Sequence, residues 1–375
     1  MRRLLLIPAE IAARLQRDIL LLVLVLLCAC LSLLDPEAIA SYPQRVDWPT
    51  IAALAGLLLL TTGLEESGFL QLAAYQVITR MRNERHLALL LVGLSAAMAT
   101  VLTNDIALFI VVPLTLGLHG MATLPTARLV IFEALAVNAG SVLTPMGNPQ
   151  NLFLWQRSGT SLPAFVADML PLAVILLATL LALTLLAFPA RRIDTHEDLA
   201  PPALTRRLLW ISLLLYPVFL LLLDLRLAWP GFLLVVTVFA IAYRDVVKRV
   251  DWALILVFIL MFIDLRLLAE WAPVQATLVA IGLDDAQRLF LAGVAISQVI
   301  SNVPGAILLA EHSADWRVIA WAVNVGGFGF VIGSLANLIA LRLLGDRRAW
   351  LSFHAWSLPF LAIVATLSYL WLFAR

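Results

Sequence analysis

Four short polar clusters interrupt an otherwise apolar chain. They are Thr103-Asn104-Asp105, the stretch from Asn138 through Gly140, Gly147, Asn148 and Pro149 to Asn151, the pair Ser301-Asn302, and the stretch from Asn324 through Gly326, Gly333 and Ser334 to Asn337. Amides, hydroxyls and helix-breaking Gly and Pro suit reversible binding of an ion or small polar molecule better than bond-making. No phosphate-cradling loop, nucleophile elbow or ATP-binding motif is present. His86, His119, His196, His312 and His354 are scattered without metal-ligand spacing. The carboxylates lying within apolar runs near these clusters are Asp105 and Glu133, and acids at such depth are functional candidates by default.

The elements that must position these residues follow from composition. Of the 375 residues 63% are hydrophobic and the mean hydropathy is +1.00, so one soluble core cannot hold them. A bilayer core needs roughly 20 apolar residues per helix, and apolar runs lie near 19–34, 50–64, 163–188, 208–223, 230–243, 251–268 and 350–373. The class is all-α, polytopic and membrane-embedded. A net charge of +1 points to no acidic or nucleic-acid partner. Placement of the 25 Lys and Arg is more informative: with a cytoplasmic N-terminus only Arg45, Arg157, Arg226, Arg266, Arg288, Arg317 and Arg375 fall outside. That bias predicts a multi-pass membrane protein with its N-terminus inside. Ala38-Ile39-Ala40 mimics a signal-peptide cleavage site, but the orientation reads the first run as an uncleaved helix. Cys28 and Cys30 in that run read as small packing residues.

The chain also repeats itself. "QRVDW" (44–48) recurs as "KRVDW" (248–252), "TNDI" (103–106) is answered by "SNVP" (301–304), and Asn138, Gly140, Gly147 and Asn151 recur 186 residues later as Asn324, Gly326, Gly333 and Asn337. Five crossings separate the copies, and an odd number inverts the second relative to the first. Inverted repeats with interrupted helices place binding sites near the bilayer midplane, because irregular backbone in hydrocarbon survives only beside protein or a water-filled cavity. Two re-entrant hairpins (86–118 and 286–311) and two broken helices (127–158 and 315–343) are expected. "LDLRL" (223–227) and "IDLRL" (263–267) read as ion pairs at outer helix ends, and 69–82 as an amphipathic surface stretch after Glu65 and Glu66.

"TNDIALFIVVPL", "NAGSVLTPMGNPQNL", "ISQVISNVPGAILL" and "VNVGGFGFVIGSLANLIAL" resemble the signatures of the ion transporter superfamily that includes arsenite permeases, NhaD-type antiporters and citrate or dicarboxylate carriers. The chain is most similar to citrate-transporter-like bacterial inner-membrane anion permeases, over roughly 20–373. The resemblance implies a homodimer in which a transport domain moves as an elevator against a scaffold, with 1–85 and 189–285 as scaffold and 86–188 and 286–375 as transport domain. It implies a site from Thr103, Asn104, Asp105, Gly147, Asn148 and Asn151 in one half and Ser301, Asn302, Gly333, Ser334 and Asn337 in the other. No organic cofactor is implied, only Na+ or H+ as coupling ion, with Asp105 and Glu133 as coupling groups and no metal beyond Na+ at the helix breaks. The dicarboxylate carriers place Thr after the tip Asn where this chain has Asp105 and Val303, the first tip being closer to the arsenite-permease and NhaD pattern, and relatives commonly have small polar residues where it has Phe328 to Val331. The implied function is secondary active transport of a small anion across the lipid bilayer. Alternatives are a Na+/H+ antiporter, an arsenite-type efflux permease and a non-transporting membrane binding protein.

Overall fold

The computed structural model describes residues 19–69, 72, 83–119, 124–193, 203–346 and 348–374. Sixteen longer helices among them are α1 (Ile19–Leu34), α2 (Trp48–Glu66), α3 (Glu84–Val101), α4 (Asn104–His119), α5 (Thr126–Gly140), α6 (Pro149–Ser158), α7 (Leu162–Ala187) and α8 (Arg206–Asp224). The rest are α9 (Ala228–Ala242), α10 (Trp252–Glu270), α11 (Ala272–Ile281), α12 (Ala286–Ile300), α13 (Asn302–Ala310), α14 (Trp316–Val325), α15 (Leu335–Leu344) and α16 (Ala349–Phe373). Six of these, α2, α3, α7, α8, α10 and α16, are long and apolar enough to cross a membrane. The protein is an all-α, multi-pass membrane protein.

Local signals set the helix boundaries. Asp47 Oδ1 accepts the Thr50 N–H at 3.0 Å to start α2, and Asp251 Oδ1 accepts the Ala253 and Leu254 N–H groups at 3.1 and 3.3 Å to start α10. These are the Asp residues of the QRVDW/KRVDW echo, and the Trp after each also repeats its bond: Trp48 Nε1 donates to Pro43 O and Trp252 Nε1 to Val247 O. The echo therefore encodes one helix-entry structure used twice. Every residue from Thr50 to Leu64 is buried, so α2 runs through the interior, where Gly56 lets the Phe219 ring of α8 lie against its backbone. Outer faces are apolar instead. Leu186, Ile241 and Leu351 are about four-fifths exposed, a surface suited to lipid chains rather than water.

Helix interruptions occur at the expected places: α3 and α4 join at Leu102-Thr103, α12 and α13 at Ser301, α5 and α6 across 141–148, and α14 and α15 across 326–334. Arg266 donates to Glu311 and to Arg45 O, Arg157 pairs with Glu311, and Arg226 donates to Trp155, Gln156 and Thr160 carbonyls. Arg85, Arg128 and Arg249 bind Phe188 O, Ala187 O and Glu66.

The "DLR" motifs behave differently from simple surface pairs. Asp224 Oδ1 caps α7 by accepting the Leu162 N–H at 2.6 Å, and Arg226 stacks over Trp155 while closing the C-terminal end of α6. Arg266 does form an ion pair, with Glu311 at 3.2 Å. Asp264 does not: it is fully buried between α10 and α1, because its position faces the α1 packing surface beside the Cys28 thiol rather than the interface. The amphipathic stretch 69–82 lies, apart from Phe69 and Leu72, outside the described residues, as does His196.

Candidate functional site

The breaks form because the sequence withholds helix bonds and supplies substitutes. Pro149 has no N–H to give, and Asn148 takes the N-cap position of α6, its Oδ1 accepting the Asn151 N–H at 2.9 Å. Gly140 and Gly147 are needed for close approach. A Cβ on Gly140 would lie 2.1 Å from Ala96 O, and one on Gly147 would lie 2.3 Å from Ser141 O. The first break is thus clamped against α3.

The two breaks are tied to each other by amides. Asn138 Nδ2 donates to Asn337 Oδ1 at 2.8 Å, and Ser334 Oγ donates to Asn138 Oδ1 at 2.9 Å. Shifted by 186 residues, Asn324 Nδ2 donates to Asn151 Oδ1 at 2.7 Å, and Asn148 Nδ2 donates to Asn324 Oδ1 at 3.0 Å. Each end-of-helix Asn also donates to the carbonyl one turn back, Asn138 to Ala134 O and Asn324 to Ala320 O. The same bonds recur with the partners exchanged between the halves. All six side chains are buried, so the amides satisfy one another where water cannot.

The hairpin tips attach to the breaks. The Asn104 N–H donates to Gly147 O at 2.9 Å, and Ser301 Oγ donates to Gly333 O at 3.4 Å. Asn302 Nδ2 would sit 3.0 Å from a Cβ on Gly327, so the second tip also lies against its break. Ser301 has φ 75° and ψ 161°, a region natural to glycine, so this tip is held under strain. Thr103, Asn104 and Asn302 are buried, whereas Asp105 is half-buried, and among the described residues its carboxylate has no hydrogen bond or ion pair.

The structure therefore gathers Asn104, Gly147, Asn148 and Asn151 with Ser301, Asn302, Gly333, Ser334 and Asn337 into one connected cluster, with Thr103 and Asp105 beside the first tip. Asn148, Asn151, Ser334 and Asn337 hydrogen-bond across the two breaks. Glu133 stands apart on α5. It is fully buried, Thr115 Oγ1 donates to its Oε1, and its Oε2 has no partner. It does not reach an interface beside Arg128, whose guanidinium instead donates to Ala187 O and covers the Phe188 and Trp356 rings. Phe328 does not fill the site either. It turns into the core and packs edge-on against Phe360 at 4.8 Å.

A profile of the citrate transporter family matches residues 4–323. The chain belongs to the citrate transporter family. The chain is 46% identical over 355 residues to the inner membrane protein YbiR of Escherichia coli (strain K12), covering 95% of each chain. It is 31% identical over 303 residues to the uncharacterized transporter MJ0456 of Methanocaldococcus jannaschii, covering 80% of this chain and 81% of that one. Citrate transporter family membership makes the chain a membrane transporter and not an enzyme.

Sequence reading saw Asn138 and Asn324 as part of an echo but not as the hub of the site. The signal was their fixed spacing of 186 from matching positions. It missed Gln150, which donates to Asn324 Oδ1 at 3.3 Å, and Gln298, which binds the second break from α12. Neither is repeated in the other half, so no echo marks it.

Proposed function

We propose that the chain is a secondary active carrier that moves a small anion across the membrane, coupled to H+ or Na+. The observation that supports this most is the amide network whose bonds recur, with exchanged partners, between the two breaks. It fits two inverted copies meeting at one central site. The N-terminal ends of α6 and α15 then bring partially positive N–H groups to that site, and the C-terminal ends of α5 and α14 bring carbonyls. An anion is held by the former and a cation by the latter. Asn104 and Asn302 at the tips are the contacts to substrate or ion, and the unpaired carboxylate of Asp105 is the coupling group. The name of the family to which the chain belongs favours a carboxylate of the citrate kind as substrate. The arginine partition favours a cytoplasmic N-terminus, and the resemblance to known carriers favours a homodimer whose 86–188 and 286–375 segments move against a scaffold.

A second reading, a Na+/H+ antiporter without organic substrate, is favoured by the intramembrane acids Asp105 and Glu133 near the breaks. Phe328, turned into the core, lends no support to a non-transporting role. Purified chain in proteoliposomes separates these. Accumulation of a labelled tricarboxylate or dicarboxylate that needs an imposed Na+ or H+ gradient supports the carrier, and Asp105→Asn is expected to abolish gradient dependence. Na+-driven proton movement with no anion added supports the antiporter, and anion flux with unchanged coupling in Asp105→Asn removes Asp105 from the mechanism.

A further inference from the structure

The helices pack into two groups, and each group repeats its own contacts with the halves exchanged. In one, α4 packs on α15 as α13 packs on α6, and α5 packs on α15 as α14 packs on α6. In the other, α1 packs on α10 as α9 packs on α2. The contact between the groups breaks the pattern. α2 packs against α6 and α10 against α13, whereas the exchanged pairs, α10 with α15 and α2 with α4, make no comparable contact among the described residues. Burial shows the same inequality. In the register that pairs Asn104 with Asn302, Phe109 of α4 matches Ile307 of α13, yet Phe109 is 49% exposed and Ile307 1%. In the register of 186 residues, Phe153 of α6 matches Ile339 of α15. Phe153 is buried edge-on against the Phe262 ring of α10 at 5.3 Å, and Ile339 is only half-buried.

Charge fastens the end that is joined. Arg157 and Glu311 stand at the C-terminal ends of α6 and α13. Glu311 Oε1 accepts from Arg157 at 2.9 Å and from Arg266 of α10 at 3.2 Å, so one carboxylate ties the two groups together. Its side chain is 25% exposed, and water screens the pairs only in part. Arg226, in the loop before α9, adds its bonds to the Trp155, Gln156 and Thr160 carbonyls at the same end. At the other end, Leu116 of α4, Arg128 of α5 and Leu344 of α15 line one pocket. The positions there that match the tie carry no charge: Leu343 answers to Arg157, Pro113 to Glu311 and, in the register of Asp47 and Asp251, Thr62 to Arg266.

We propose that Glu311 is a one-sided latch: it holds α10 to α13 so that the central site opens toward the α4/α15 end, and its release lets the groups exchange partners, α2 onto α4 and α10 onto α15. Inverted copies make the two arrangements nearly equal in packing, so a few ionic bonds at one end decide which is populated. Because the matching positions at the other end are uncharged, the chain rests in the latched arrangement. With the N-terminus cytoplasmic, that arrangement closes the outer side of the membrane.

This rests on the proposed reading of a carrier with moving segments, and the test separates the two. The full chain with Cys28→Ala and Cys30→Ala receives Leu58→Cys and Ile339→Cys, the positions that match Phe262 and Phe153, and is oxidised in proteoliposomes with Glu311 intact, with Glu311→Gln and with Arg266→Gln. The Leu58/Ile339 disulfide is expected to form slowly with the latch intact and about fivefold faster in either latch variant, a change of about 1 kcal/mol. A Phe153→Cys/Phe262→Cys pair should close readily with Glu311 intact, and its failure to close overturns the resting arrangement. Equal Leu58/Ile339 rates with the latch intact and in a folded Glu311→Gln or Arg266→Gln overturn the latch. No Leu58/Ile339 disulfide in any background overturns the exchange of partners. Rates that rise as expected in a chain without gradient-driven uptake refute the carrier reading and leave the latch standing.

Discussion

The exchanged amide network predicts a pattern of energetic coupling that packing alone would not produce. Asn337→Ala deletes the bond from Asn138 Nδ2 and the 3.0 Å bond from Asn337 Nδ2 to Gly327 O. Asn138 keeps Ala134 O as an acceptor, so its amide is not orphaned, but the buried Gly327 carbonyl loses the Asn337 amide. One lost bond at about 1 kcal/mol and one under-satisfied buried carbonyl at about 1–3 kcal/mol give a cost of about 2–4 kcal/mol. Asn151→Ala, its counterpart, deletes the bond from Asn324 and the 3.0 Å bond to Val142 O and should cost the same. Double-mutant cycles isolate the pair terms. Asn138/Asn337 and Asn324/Asn151 should each couple by about 0.6–1.7 kcal/mol, the range for side-chain hydrogen bonds within membranes. Asn138/Asn151, which share no bond, should couple by less than about 0.5 kcal/mol. Reversible unfolding in mixed micelles, followed by tryptophan fluorescence, reads all three. Equal coupling in bonded and unbonded pairs, or none in either bonded pair, would refute the exchange of partners.

Two further substitutions test the strained positions. Ser301→Gly should raise stability by about 1 kcal/mol in the same unfolding assay, because φ 75° is costly for serine and free for glycine, while transport falls with loss of the hydroxyl at the tip; a destabilised Ser301→Gly would mean that the hydroxyl outweighs the strain. Arg226, at φ 62°, gives three hydrogen bonds to the C-terminal end of α6, so Arg226→Ala should cost about 1–2 kcal/mol and Arg226→Gly less, since glycine loses the bonds but also the backbone strain. Equal melting temperatures for the two variants would count against strain at that position.

Much of this molecule was legible in the chain itself. Hydropathy and the Lys and Arg distribution determined a polytopic membrane protein, because bilayer thickness and the cost of burying charge act on residue type and spacing alone. The breaks were legible because Pro149, Gly140 and Gly147 act on their own backbone, and the repeat because Asn138/Asn324 and Asp47/Asp251 recur in order. What the sequence left open was which atoms meet. Only the tertiary structure decided that Asn148 and Asn337 hydrogen-bond across the breaks, that Phe328 turns into the core, that Asp264 is enclosed between helices, and that Gln298 reaches across to the second loop. Each of these depends on the rotation and approach of helices far apart in the chain, and a hydrogen bond's partner is set by distances of about 3 Å that no local periodicity encodes.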